Sequence, residues 1–172
     1  GNGTRKISKY VKQGGKFLGL CAGGYFGSAR CEFEVGNPTM EVTGPRELGF
    51  FPGTAKGCAF KGFKYELRTG PRAVKLLVNT AALPGCASHI YNYYDGGAVF
   101  ANAEKYKDVE ILARYDDKTD IVDLEKAAVV YRKVGKGGVI LSGTHPEFAP
   151  HLLHPRDEDG AGYFIVVDTL RA

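Results

Sequence analysis

Two stretches of this chain carry the residue types of nucleophilic catalysis. The first is Gly19-Leu20-Cys21-Ala22-Gly23-Gly24, a cysteine set among small residues. The second is His145-Pro146-Glu147, far along the chain. A cysteine attacks a carbonyl as its thiolate, so it needs a base within hydrogen-bond reach, and the base needs a group that orients it. His145 and Glu147 offer both. The carboxylate two residues on can hold one ring nitrogen while the other faces Cys21, and Pro146 fixes the backbone between them. The chemistry in view is cleavage of an amide or ester through a thioester. Taken alone, Cys21 also reads as a small buried hydrophobe at a tight turn. The two motifs together favour triad geometry and leave turnover open.

The elements around these motifs are those that would position them. Lys16 to Leu20 is a short apolar run that reads as a buried strand, and Ala22 to Ala29 can begin a helix. Cys21 then sits on a sharp strand-to-helix turn, where Gly19, Ala22 and Gly23 keep the turn tight. The N–H of Ala22 is a natural oxyanion donor, and the helix N-terminus favours negative charge. Val139 to Ser142 is a second buried strand and leads into Gly143-Thr144-His145. Before the first strand, Ile7, Tyr10 and Val11 recur at helical spacing among Lys and Arg, with a cap expected at Asn2 or Thr4 and an end at Gly14-Gly15. Further strands are expected over Cys31 to Val35, Phe60 to Leu67, Val74 to Val78, Val109 to Tyr115 and Ala127 to Val134. Ile90 to Tyr94, Asp95-Gly96-Gly97 and Ala98 to Asn102 read as a hairpin, and Lys136-Gly137-Gly138 as a turn. Arg156 to Gly160 reads as an acidic turn, and Tyr163 to Leu170 as helix or strand.

Other polar groups carry less. Cys31, Cys58 and Cys86 read as inert thiols and His89 as a packed histidine. His151 and His154 stand near Asp157, Glu158 and Asp159, but the spacing matches no familiar metal motif and a solvated loop is preferred. Gly23, Gly24 and Gly27 lack the spacing of a dinucleotide fingerprint. Tyr91, Tyr93 and Tyr94 read as strand residues, with Tyr93 a candidate to face a cleft. No metal and no cofactor is called for.

The 172 residues are enough for a single domain with a sizeable core, taken as 1–172. A net charge of +4, spread along the chain, gives no basis for nucleic-acid binding. No apolar run approaches bilayer length and no secretory signal opens the chain, so no membrane is expected. Scattered cysteines without a CxxC pair suit reduced thiols and a cytoplasmic location.

The Gly19 to Gly23 motif with the later His145-Pro146-Glu147 resembles the class I glutamine amidotransferase superfamily. The longer runs are more specific: Gly19 through Ser28, Cys31-Glu32-Phe33-Glu34-Val35-Gly36, Arg46-Glu47-Leu48 and Phe50-Phe51-Pro52-Gly53. Together they resemble the N-terminal, amidotransferase-like domain of eukaryotic biotin protein ligases. The resemblance implies an α/β, three-layer, flavodoxin-like fold with a mainly parallel sheet and an appended antiparallel hairpin. It also implies that Cys21 is the nucleophile, His145 the base and Glu147 its orienter, with Ala22, Gly23 and Tyr25 at the oxyanion and substrate side. Two departures stand out. Tyr25 occupies the position where working glutaminases carry a substrate-gripping glutamine, which weighs against glutamine hydrolysis. The family's opening βαβ segment is not in this sequence.

A Gly-Arg-Gly-Arg type ligase loop is also missing, and Gly70-Pro71-Arg72 does not replace it, so biotin and ATP are not assigned to these residues. The expectation is a regulatory domain, or one acting on an unknown small-molecule substrate. Its partner would be a biotin ligase catalytic domain or a second copy. The alternative is an active cysteine hydrolase of amides or esters, and a third reading is a redox sensor at Cys21.

Overall fold

The computed structural model describes residues 1–62, 64, 69–123 and 125–148. Helix α1 (Asn2–Lys12) buries Val11 and packs Ile7 on the core, as the helical spacing requires. Its cap is Gly1 rather than Asn2 or Thr4. Thr4 instead folds its hydroxyl back onto the Gly1 carbonyl at 2.7 Å. Lys9 and Lys12 occupy the last turn, where the helix dipole favours cations. Then follow β1 (Lys16–Leu20), α2 (Ala22–Gly27), β2 (Ser28–Phe33), β3 (Val42–Pro45), β4 (Phe51–Gly57), β5 (Arg72–Val78) and β6 (His89–Tyr94). The described part of the chain ends with β7 (Val99–Phe100), β8 (Val109–Tyr115), β9 (Ala127–Val134) and β10 (Gly137–Ser142). The Phe60 to Leu67 strand is not settled, since residues 63 and 65–68 lie outside the described residues. The same holds for His151, His154, Asp157, Glu158, Asp159 and the Tyr163 to Leu170 run.

The protein is α/β and mostly sheet. One sheet runs β1-β10-β9-β8-β5-β6 and the other β3-β2-β4-β7. The expected mainly parallel sheet is corrected: only β1 with β10 and β2 with β4 run parallel, and every other pair of the described strands is antiparallel. Parallel neighbours need long, usually helical, crossovers. Here β9 reaches β10 through Gly135-Lys136 alone, which forces an antiparallel pair. Gly137 and Gly138, expected in that turn, are the first residues of β10. Instead of helix layers on both faces of one sheet, the described residues hold two sheets and two α-helices.

The hairpin is also corrected. β6 pairs with β5, and β7 pairs with β4 in the other sheet. The Asp95-Gly96-Gly97-Ala98 link therefore crosses between sheets. A Cβ on Gly97 would stand 1.6 Å from the Gly143 carbonyl oxygen, so this glycine gives clearance for a backbone crossing. Three buried phenols fasten the link. Tyr25 donates to the Gly96 carbonyl, Tyr94 to Gly97 and Tyr115 to Ala98, each at 3.0 Å. Phe60 stacks edge-on against Tyr94 and Tyr115 with centroids 4.9 and 5.4 Å away, closing one apolar cluster. Val11, Phe50, Phe51, Phe100 and Leu141 belong to the other.

Candidate active site

In β1 and β10, Leu20 lies opposite Ser142, so Cys21 and the His145 loop leave the same edge of the sheet. The Cys21 N–H donates to the Ser142 carbonyl at 2.8 Å, fixing the end of β1. The backbone then turns through φ 46° and ψ −103°, a sparsely populated region for a residue with a side chain, at a cost of about 1–3 kcal/mol. The turn is held because the Cys21 carbonyl accepts the N–H groups of Gly24 (2.9 Å) and Tyr25 (3.3 Å), the first turn of α2. A Cβ on Gly19 would lie 2.6 Å from the Gly23 carbonyl oxygen, so the strand and the helix start meet only with glycine there. This is the sharp strand-to-helix turn expected from the small residues around Cys21.

His145 is set with equal care. Its N–H donates to the Tyr93 carbonyl at 2.8 Å, a single bridge between the loop and β6. Ser142 and Thr144, both buried, bind each other: the Thr144 N–H donates to Ser142 Oγ at 3.0 Å, and Asn92 Nδ2 donates to Thr144 Oγ1 at 2.9 Å. The imidazole packs beside the rings of Tyr93 and Phe148, with centroids 6.0 and 5.2 Å away, and those two rings also touch each other at 5.0 Å. Its Nδ1 meets Glu147 Oε1 at 2.7 Å. The His–Glu arm of the expected constellation is therefore present.

The Cys–His arm is not closed. Cys21 Sγ donates to the backbone carbonyl of Asp95 at 3.3 Å, and no hydrogen bond joins it to the imidazole. The thiol pKa is pushed up to about 11: partial burial is the largest cause, the Asp95 carboxylate adds to it, the Ala22 N–H pulls against it, and the Glu147 charge adds a smaller upward push. Ala22 thus offers its N–H to the sulfur, Gly23 forms the tight start of α2, and Tyr25 is buried with its hydroxyl on Gly96. Burial holds the Tyr25 phenol well above its ordinary pKa.

A cleft of about 540 Å³ opens at the elbow, with Cys21, Ala22 and Tyr25 on one side. Phe26, Phe33, Met40, Val42, Arg46 and Asp95 are also in its lining, together with Cys31 and Gly96. Sequence reasoning missed Asp95 and Arg46 as site residues. Asp95 carries only the signal of a turn, and Arg46 enters the sequence reading only as part of a matching run. Cys31 and Cys58 are buried free thiols and Cys86 is an exposed one. Among the described residues no group of three His, Cys, Asp or Glu could hold a metal ion, and no helix is long and apolar enough to cross a membrane.

The comparisons with known proteins agree with one another at the level of sequence. The chain is similar, at 44% identity over 158 residues, to the biotin–protein ligase of Schizosaccharomyces pombe, covering 90% of this chain and 24% of that protein. It is 38% identical over 160 residues to an uncharacterised protein of Chlamydia muridarum, covering 92% of this chain and 58% of that one. The chain thus spans about a quarter and somewhat over half of these relatives. A crystal structure of β-galactosidase from Bacillus circulans sp. alkalophilus superposes on 98% of this chain and 20% of that one, with a TM-score of 0.49 and 13% identity, a likeness too loose to carry an argument. The family model described as "Biotin-protein ligase, N terminal" matches residues 1–172, and the chain belongs to that family.

Proposed function

We propose that this chain is an amidotransferase-like regulatory domain of the biotin-protein-ligase type, and that it works by binding a ligand at the Cys21 cleft while Cys21 rests as a thiol. The observation that carries this reading is the hydrogen bond from Cys21 Sγ to the Asp95 carbonyl, which occupies the thiol proton that a base would have to take. Two carboxylates near the sulfur, those of Asp95 and Glu147, further oppose its ionisation. Tyr25, at the position of the substrate-gripping glutamine of working glutaminases, is committed to Gly96. Its partner is the catalytic domain of a ligase or a second copy of the chain, in the reducing setting of the cytoplasm that its free thiols suit.

A second reading is favoured by one observation: the cleft reaches Cys21 with room for an acyl group. In a cysteine hydrolase, His145 would take the Cys21 proton and Cys21 Sγ would bond to the acyl carbon. The leaving amine or alcohol would depart with that proton, and water would then release the acid and restore the thiol.

Alkylation of each cysteine by iodoacetamide, followed against pH by peptide mass in the native protein and in His145→Ala, tests the first reading. Cys21 is expected to react far more slowly than exposed Cys86 near neutral pH and to be indifferent to His145. Fast reaction at neutral pH that His145→Ala slows overturns this reading and selects the hydrolase.

A further inference from the structure

The walls and charges of the cleft point to a class of ligand. Phe26, Phe33, Met40 and Val42 line it, and Phe26 (40%) and Val42 (46%) stay exposed although large and apolar. Exposed apolar side chains gathered around a concavity of this size, within the ~300–1,000 Å³ of small-molecule sites, are the mark of a ligand surface. The charges are segregated. Asp95 lines the cleft beside Cys21, whose thiol donates to the Asp95 backbone carbonyl at 3.3 Å and whose ionisation the Asp95 carboxylate charge opposes, whereas Arg46 lines the same cleft against the Cys31 thiol. Arg46 Nη1 donates to the Pro45 carbonyl at 3.0 Å. Arg30, Arg114 and Arg132 are each paired with a carboxylate, but Arg46 has no ion pair among the described residues.

We propose that this cleft binds a small apolar carboxylate, with the acid group on Arg46 and the hydrocarbon body along Phe26, Phe33, Met40 and Val42. The proposal rests on the reading of the Cys21 cleft as the ligand site. The Asp95 end repels an anion, which sets the direction of binding. The guanidinium presents the planar fork that a carboxylate matches. The four apolar side chains supply contact area that a small zwitterion such as glutamine could not use.

The test is titration calorimetry of the whole chain with octanoate, octanol and octylamine. Octanoate is expected to bind about tenfold more tightly than octanol, and octylamine the most weakly. Arg46→Gln is expected to bring octanoate down to the level of octanol, Arg46→Lys to keep part of the difference, and Val42→Glu to weaken both. The far-UV circular dichroism of each variant checks its fold. Octanoate binding no tighter than octylamine, or unchanged by Arg46→Gln, overturns the proposal. The alkylation profile reads Cys21 alone, so the two failures separate. Slow Cys21 without octanoate binding removes the ligand class and leaves the resting thiol. Fast Cys21 with Arg46-dependent octanoate binding removes the resting thiol and upholds the ligand class.

Discussion

The thiol of Cys21 and the backbone carbonyl of Asp95 are hydrogen-bonded at 3.3 Å, which ties the elbow after β1 to the link that crosses between the two sheets. The contact sets what the sulfur can do, because Asp95 contributes an acceptor through its backbone and a repelling charge through its side chain.

These two contributions can be separated. Asp95→Asn keeps the carbonyl and removes the charge, so it lowers the Cys21 pKa from about 11 while burial continues to hold it up. Alkylation of Cys21 at pH 8 is expected to rise severalfold in this variant, with the rate of Cys86 unchanged as the internal reference. An unchanged Cys21 rate would show that burial alone sets the shift.

Stability should fall on the alkaline side. Cys21 holds its proton to about pH 11 when folded, against an ordinary value of 9.0, so between these values the folded state binds more protons than the unfolded one. Stability is therefore full below about pH 9 and declines as pH rises through 11, by up to about 2–3 kcal/mol from this group. Urea midpoints at pH 8 and pH 10.5 read the decline, and Cys21→Ala is expected to flatten part of it. Cys58, whose burial also pushes its thiol upward, contributes to the remainder.

Two glycines near the site should respond in opposite ways to alanine. Gly97→Ala drives a Cβ into the Gly143 carbonyl and is expected to cost about 3 kcal/mol or more. Gly23→Ala meets nothing within 4 Å and lies in α2, so it is expected to be neutral or to stabilise by up to about 1 kcal/mol. Chemical denaturation of the two variants side by side checks both; equal costs would show that the crossing can shift to make room.

Among the described strands β1 lies at an edge of its sheet, and Leu18 on it is 62% exposed. Exposed apolar strand edges invite pairing with another chain. Concentration-dependent self-association is expected in sedimentation velocity, and Leu18→Lys is expected to reduce it. A monomer at every concentration would assign the edge no such role.

The local parts of this structure were legible because their signals are local. The spacing of Ile7, Tyr10 and Val11 marks α1, the small residues around Cys21 mark the elbow, and Glu147 stands two residues from the imidazole it binds. Strand direction was not legible, because a strand buried on both faces is apolar whether its neighbours run parallel or antiparallel. Asp95-Gly96-Gly97 has the composition of a hairpin turn, yet its glycine is needed for Gly143, which comes much later in the chain. The Cys21–Asp95 contact spans 74 positions, and no local pattern announces it.

The three phenols on the sheet-crossing link also give the domain an optical signal of its own. Phenolate absorbs at longer wavelength than phenol, and burial holds Tyr25, Tyr94 and Tyr115 well above their ordinary pKa. In an alkaline titration these three of the ten tyrosines should stay dark after the exposed ones have ionised. They should appear together, as one late step, when the two sheets come apart and the carbonyls of Gly96, Gly97 and Ala98 lose their donors.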